Sequence, residues 1–200
     1  MNTYLKEFLA LRCAGDVLNA THPVSKAAKE ITEAMAVVKR LKSWAIQHPM
    51  ELILWDLCAG NALTGILAAY LLPFKRVIAV DRKRRKRQGY QNVRRWEYRE
   101  CDVSEILPEI DSNSILVASH PCGQAAIDIC MLYAETDARA MAILPCCVGK
   151  LQGKFTALEH NRFSRYEQWC LGLARLVGGN CKRDNHVASP ANILVWATKS

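Results

Sequence analysis

Leu52-Ile-Leu-Trp-Asp-Leu-Cys-Ala-Gly-Asn61 is a short apolar run that ends in an acid and then breaks into a turn of small residues. A second apolar run, Arg76-Val-Ile-Ala-Val-Asp81, follows and also ends in an acid. Each run has the length of a buried strand, and between them Leu63–Leu72 reads as a helix closed by Pro73. Strand, turn, helix, strand is the unit that makes a parallel sheet.

The same alternation continues along the chain. Strands are expected at Leu52–Leu57, Arg76–Val80, Arg94–Arg99, Ser114–Ser119 and Ala140–Leu144, with Arg94–Arg99 the least apolar and nearest an edge. Helices are expected at Val103–Ile110, Ala125–Thr136 and Ser164–Val177. Lys182–Val187 and Asn192–Thr198 read as a closing antiparallel hairpin. Ahead of all this, Ile31, Met35, Val38, Leu41 and Ala45 recur at helical spacing, which predicts an amphipathic helix over Ser25–Ile46. The expected organisation is a helical segment, 1–48, packing on one compact unit, 49–200. The fold class is α/β, a doubly wound sheet, and its ligand belongs beyond the carboxyl ends of the strands.

Two hundred residues suit one domain with a full core. No apolar run reaches the roughly 20 residues needed to span a membrane, and Met1–Phe8 lacks the pattern of a secretory leader. An intracellular, cytoplasmic protein with no membrane partner is the expectation. Nine cysteines then read mostly as free thiols, with Cys58, Cys130 and Cys170 inside apolar segments. The charge of +8 is concentrated in Arg82–Arg87, an unbroken basic run followed by Arg94 and Arg95. Such a patch favours a polyanion, RNA first, while the plainer alternative is a solvated face.

The strand ends collect the chemistry. Asp56, Cys58, Ala59, Gly60 and Asn61 form the first turn, with the amides of the next helix aimed at the same space. Asp81 ends the second strand and can accept hydrogen bonds from two ribose hydroxyls, with Arg82 beside it. Asp102 and Val103 follow the third strand. A dinucleotide turn would carry three glycines, whereas only Gly60 is present here. A carboxylate at Asp56 suits an ammonium better than a pyrophosphate. Adenosine at one end and an amino acid at the other describes S-adenosylmethionine. The alternative for Asp81 and Asp102 is simple N-capping of helices.

The fourth strand ends in Ser119-His120-Pro-Cys122-Gly123 and the fifth in Pro145-Cys146-Cys147. His120, Cys122, Cys146 and Cys147 are therefore expected to converge. Pocket walls, a base or reactive thiolate, and zinc ligands all remain open for them. The spacing lacks a four-ligand zinc pattern, so no metal is assigned. His22, His48, His160 and His186 have no partners in sequence and read as structural or surface residues.

With these motifs in view, the chain resembles the class I S-adenosylmethionine-dependent methyltransferases. Asp56–Asn61 looks like their motif I, Asp81 their motif II acid and Asp102 the adenine-side acid of motif III. Cys58 stands where the family more often has glycine. His120-Pro-Cys-Gly-Gln-Ala-Ala-Ile-Asp128 with Cys146-Cys147 is similar to a narrower subgroup, which includes the eukaryotic tRNA acceptor-stem 2′-O-methyltransferases. The resemblance implies a Rossmann-like, seven-stranded, mostly parallel sheet with an antiparallel last strand. It also implies S-adenosylmethionine as cofactor, bound by Asp56, Cys58, Ala59, Gly60, Asn61, Asp81, Arg82, Asp102, Val103, Ser119 and His120. On that footing His120 is the candidate base or substrate orienter. Arg84, Arg85, Lys86, Cys122, Cys146 and Cys147 are candidates for contact with an RNA substrate. Lys150, Lys154, Arg162 and Arg165 are weaker candidates for holding an anion.

Overall fold

The computed structural model describes residues 1–83, 90–148 and 163–199. Seven strands form one sheet: β1 Ile53–Leu57, β2 Arg76–Asp81, β3 Trp96–Glu100, β4 Ser114–Ser119, β5 Ala140–Leu144, β6 Asn180–Arg183 and β7 Ile193–Thr198. Their order is β3-β2-β1-β4-β5-β7-β6. β1 to β5 are parallel to one another, and β7 runs antiparallel between β5 and β6. The expected doubly wound α/β sheet is thus present, and so is the antiparallel last strand; the closing hairpin is present too, but its first strand lies at Asn180–Arg183 rather than Lys182–Val187, with Asp184–Val187 in the turn. Order reverses between β1 and β4, which sets the switch point beside Cys58 and His120.

Among the described residues six α-helices cover the sheet: α1 Thr3–Leu9, α2 Ala14–Thr21, α3 Ala27–Gln47, α4 Leu63–Leu71, α5 Gln124–Glu135 and α6 Arg165–Leu176. α1 and α2 had no counterpart in the sequence reading, because each is about two turns long and too short to show a period. They bury Tyr4, Phe8 and Val17 in the same cluster as α3 and α4. Strand alternation sorts the core into two layers. Leu54, Val77, Ala79, Ile115 and Val117 face the α1–α4 side, while Trp55, Leu57, Ile78, Val80 and Leu116 face α5 and α6.

The short helix expected at Val103–Ile110 is present over Val103–Glu109, as a 3₁₀ helix. Pro108 lies inside it and supplies no backbone donor, and the segment is short enough for the tighter turn. The third strand, β3, begins two residues later than expected, since Arg95 takes a left-handed conformation at φ 60°. It sits at the sheet edge, as its weaker apolarity implied.

Helix α4 packs closely on β1. Asp56 shares the face of Leu54, so it lies beneath α4, where its carboxyl oxygen accepts the Gly65 N–H at 2.9 Å. A Cβ on Gly65 would meet Asp56 Oδ2 at 2.8 Å and Val77 Cγ1 at 3.3 Å. Alanine is the better helix former by about 1 kcal/mol, but overpacking here costs about 1–3 kcal/mol. Gly65→Ala is therefore expected to lower stability in chemical denaturation, and an unchanged or raised midpoint would refute the contact.

Candidate functional site

The turn after β1 is unusual in backbone. Cys58, Gly60 and Ala62 have φ values of 54°, 56° and 58°. Two of these are not glycine, so the turn holds left-handed conformations that side chains disfavour. Cys58 thereby stands at a left-handed position, which is the physical reason for glycine at this place in related turns. Hydrogen bonds to β2 and within the turn hold it. Ala59 N–H donates to Val80 O at 3.0 Å, Gly60 N–H to Asp81 Oδ2 at 2.9 Å, and Leu63 N–H to Asn61 Oδ1 at 3.1 Å. The last of these is a local side-chain-to-backbone bond just ahead of α4.

Two cavities open at the carboxyl edge, and Cys58 lines both. The smaller, about 250 Å³, is bounded by Glu30, Glu33, Ala59, Gly60, Asn61, Thr64, Ser119 and His120. The larger, about 710 Å³, has Asp81, Arg82, Asp102 and Val103 at one end and Cys122, Gln124, Asp128 and Met131 at the other. The residues singled out in the turn and at the ends of β2, β3 and β4 are thus brought together.

Asp56 is the exception. It is 1% exposed and lines neither cavity. The expectation that it meets a ligand ammonium is not met, because the period-2 alternation of β1 turns it under α4. Burial pushes its carboxyl up to about 7, opposed by the Gly65 N–H and reinforced by the charge of Asp81. The acids that do border the smaller cavity are Glu30 and Glu33 of α3, which the sequence reading missed. Their signal was present: Glu33 interrupts the otherwise apolar face of a helix at a position that is 1% exposed.

Asp81 and Asp102 part company. Asp81 carries the turn through Gly60 and accepts the Lys83 N–H at 3.1 Å. Asp102 does what a helix N-cap does. Its Oδ1 accepts from Ser104 N–H and Oγ–H, Glu105 completes the capping box, and Arg82 Nε donates to Oδ2 at 2.7 Å. These donors, the Ser104 amide first, hold its carboxyl below the usual range. Asp102 still lines the larger cavity, with Val103 beside it.

His120 follows β4 with φ 67°, and its Nε2 lies 2.5 Å from Glu33 Oε2. Glu33 Oε1 accepts no hydrogen bond, although Lys29 Nζ is 3.6 Å away. With Nε2 engaged, Nδ1 is the ring nitrogen left for other partners. Glu30 Oε2 accepts from Asn61 Nδ2 at 2.5 Å, and Thr64 and Ser119 hydroxyls are 2.7 Å apart. Burial, then the charges of Asp81 and Asp56, pushes the Cys58 thiol up to about 11, so it stays protonated and is a poor nucleophile.

Cys122, Cys146 and Cys147 do converge. Most of the nine cysteines are free thiols, as expected, but Cys122 and Cys146 form a disulfide. Cys130 and Cys170 are buried free thiols, as their apolar settings implied. Arg84, Arg85, Lys86, Lys150, Lys154 and Arg162 lie outside the described residues, and Arg165 opens α6 on the surface. No helix among the described residues is long and apolar enough to cross a membrane.

A family described as "Methyltransferase domain" matches residues 26–154, which span α3 through the end of β5. The chain belongs to this methyltransferase family. Enzymes of this family normally use S-adenosylmethionine. The domain is 15% identical to the precorrin-6y C5,15-methyltransferase of Geobacter metallireducens, with a TM-score of 0.47 over 78% of this chain and 74% of that one. It is 14% identical to the antibiotic-resistance methyltransferase Kmr, with a TM-score of 0.46 over 74% and 87%. A search of curated proteins returns no match.

Asp56 also makes stability depend on pH. Its folded carboxyl binds a proton more tightly than the unfolded one, so its contribution is full below about pH 4 and is lost as pH rises to about 7. Asp56→Asn keeps an acceptor for Gly65 without that loss. Relative to wild type, the variant is expected to gain stability from pH 4 to 7, by up to roughly 4 kcal/mol. Parallel pH profiles in urea denaturation would contradict the assignment.

Proposed function

We propose that the domain binds S-adenosylmethionine across the two cavities and transfers its methyl group to RNA, at a ribose hydroxyl. The observation that carries this reading is the Glu33–His120 couple beside the turn that Asp81 supports.

The residues present fit the cofactor. Asp81 accepts two backbone N–H groups and keeps lone pairs for ribose hydroxyls. Val103 and Leu107 offer an apolar wall for a flat base, with Asp102 and Arg82 at its edge. Glu30 and Asn61 border the smaller cavity, where an ammonium gains from the carboxylates. Once bound, the cofactor supplies a methyl group already activated on a sulfonium, so no protein nucleophile is required.

The protein's part is then positioning and proton removal. Glu33 accepts from Nε2–H of His120, which fixes the ring and leaves Nδ1 as its unprotonated nitrogen. Nδ1 is then free to take a proton from a hydroxyl acceptor as it attacks. A hydroxyl needs such a base far more than an aromatic ring nitrogen does, and residues 119–122 lack the Asn/Asp-Pro-Pro-Tyr/Phe pattern that holds a base amine. The similarity of His120–Asp128 and Cys146-Cys147 to the 2′-O-methyltransferase subgroup points the same way. Arg82–Arg87 begins on the rim of the larger cavity, and its charge favours a phosphate backbone. In this reading Arg84, Arg85 and Lys86 hold RNA, and Ser119 packs beside the transferred group. The helical segment 1–48 is part of the working unit, since it supplies Glu30 and Glu33.

Labelled cofactor incubated with total cellular RNA and with protein is the first test. Label in RNA ribose is expected; label in protein alone would sink the RNA assignment. Asp81→Ala is expected to weaken cofactor binding by about 1.5–3 kcal/mol, the worth of a charge-assisted hydrogen bond. An unchanged dissociation constant would remove Asp81 from the site. Glu33→Gln should lower kcat by up to about 100-fold, with cofactor affinity little changed. A loss seen only in KM would contradict the positioning role. Replacing Arg84, Arg85 and Lys86 by Ala should raise KM for RNA and flatten its salt dependence.

A further inference from the structure

Three sulfurs meet where β4 and β5 end. Ser119 and Leu144 are register partners, so the next few residues of each strand arrive side by side. This places Cys122 and Cys146 with Cα atoms 5.8 Å apart, joined in a disulfide. The Cys147 sulfur lies 3.7 Å from that of Cys146, and all three lie within 4.8 Å of one another. Cys122 and Cys147 are exposed and Cys146 is half-buried, so the group is open to solvent. The methyl transfer described above does not use these sulfurs.

We propose that the reduced protein binds one divalent metal ion of the thiolate-preferring, zinc-like class through Cys122, Cys146 and Cys147. Metal–sulfur bonds of about 2.3 Å in a tetrahedral centre set the sulfurs about 3.8 Å apart. Cys146 and Cys147 already stand at that separation, on adjacent residues. Cleaving the disulfide lets the Cys122 sulfur move out to the same distance by side-chain rotation. Three soft donors with no carboxylate among them select zinc-like ions over magnesium or calcium. Three protein sulfurs leave a fourth position for a further ligand, and Cys122 is part of the wall of the larger cavity, from which a small molecule or water can reach it. Three protein ligands and one open position is the pattern of a reactive rather than a purely structural site.

The disulfide and the metal use the same sulfurs and exclude each other. An external dithiol or phosphine with water supplies two electrons and two protons to the Cys122–Cys146 bond and is itself oxidised. Entry of the ion then releases three thiol protons.

The test titrates the full chain, reduced and freed of metal, with cobalt(II) as a spectroscopic probe and then with zinc. One equivalent of cobalt is expected, with thiolate-to-metal charge-transfer absorption that zinc abolishes. Cys147→Ser and, independently, Cys122→Ser should weaken binding at least about tenfold, while Cys181→Ser should not. Oxidised protein should bind no cobalt. Absence of stoichiometric binding to the reduced chain, undiminished affinity in both serine variants, or equal binding to the oxidised chain would each overturn the proposal. The readout involves no methyl transfer, so it stands or falls apart from the functional reading.

Discussion

The hydrogen bond from Gly65 N–H to the buried Asp56 carboxyl is the contact on which the site depends. It closes α4 onto β1 so tightly that only a residue without a side chain fits at position 65. With both ends of the β1–α4 connection pinned, the five residues between them have little freedom. They adopt left-handed backbone at Cys58 and Ala62 as well as at Gly60. Such conformations cost of order 1–3 kcal/mol each and persist only where the surroundings enforce them. The result is a turn whose Gly60 amide is directed at Asp81 and whose far side borders both cavities. An acid that looks like a ligand contact in sequence is in fact the anchor that shapes the turn.

The switch point supplies the second half of the site. Parallel strands β1 and β4 diverge in their connections at this place, which leaves the space that helix α3 closes from one side. Glu33 reaches across from α3 to His120 at the end of β4, a contact between residues 87 apart in sequence. Its carboxylate is nearly inaccessible, and a buried charge of this kind is costly unless paired. His120 and Lys29 are the partners available to it. The same pairing that makes Glu33 tolerable holds the imidazole in one orientation beside the smaller cavity. Stability and positioning are therefore served by one contact.

Much of this was legible from local pattern. The β1 and β2 runs, the helix between them and the closing hairpin follow from apolar periodicity and from Pro73. The sequence order of Asp56, Asp81 and Asp102 at strand ends pointed to the edge of the sheet where the two cavities open. What was not legible depended on facing rather than on position. Asp56 ends a strand as Asp81 does, but alternation along β1 turns it under α4, a fact contained in Leu54 and Trp55 had their faces been assigned. Asp102 proved to cap a 3₁₀ helix, because Ser104 and Glu105 offer it local donors. Glu30 and Glu33 were hidden since α3 was read only for its apolar stripe. The Cys122–Cys146 bond depends on β4 and β5 being neighbours, which no local spacing reveals.

The central claim is that the two cavities meeting at Cys58 are a single cofactor site. A crystal structure of the full chain with S-adenosylhomocysteine, the product form of the cofactor, tests it most directly. The account predicts one bound molecule passing Cys58, with its ribose hydroxyls on Asp81 and its amino-acid end beside Glu30 and Asn61. A molecule confined to one cavity and out of reach of Asp81, or none at saturating concentration, would contradict it.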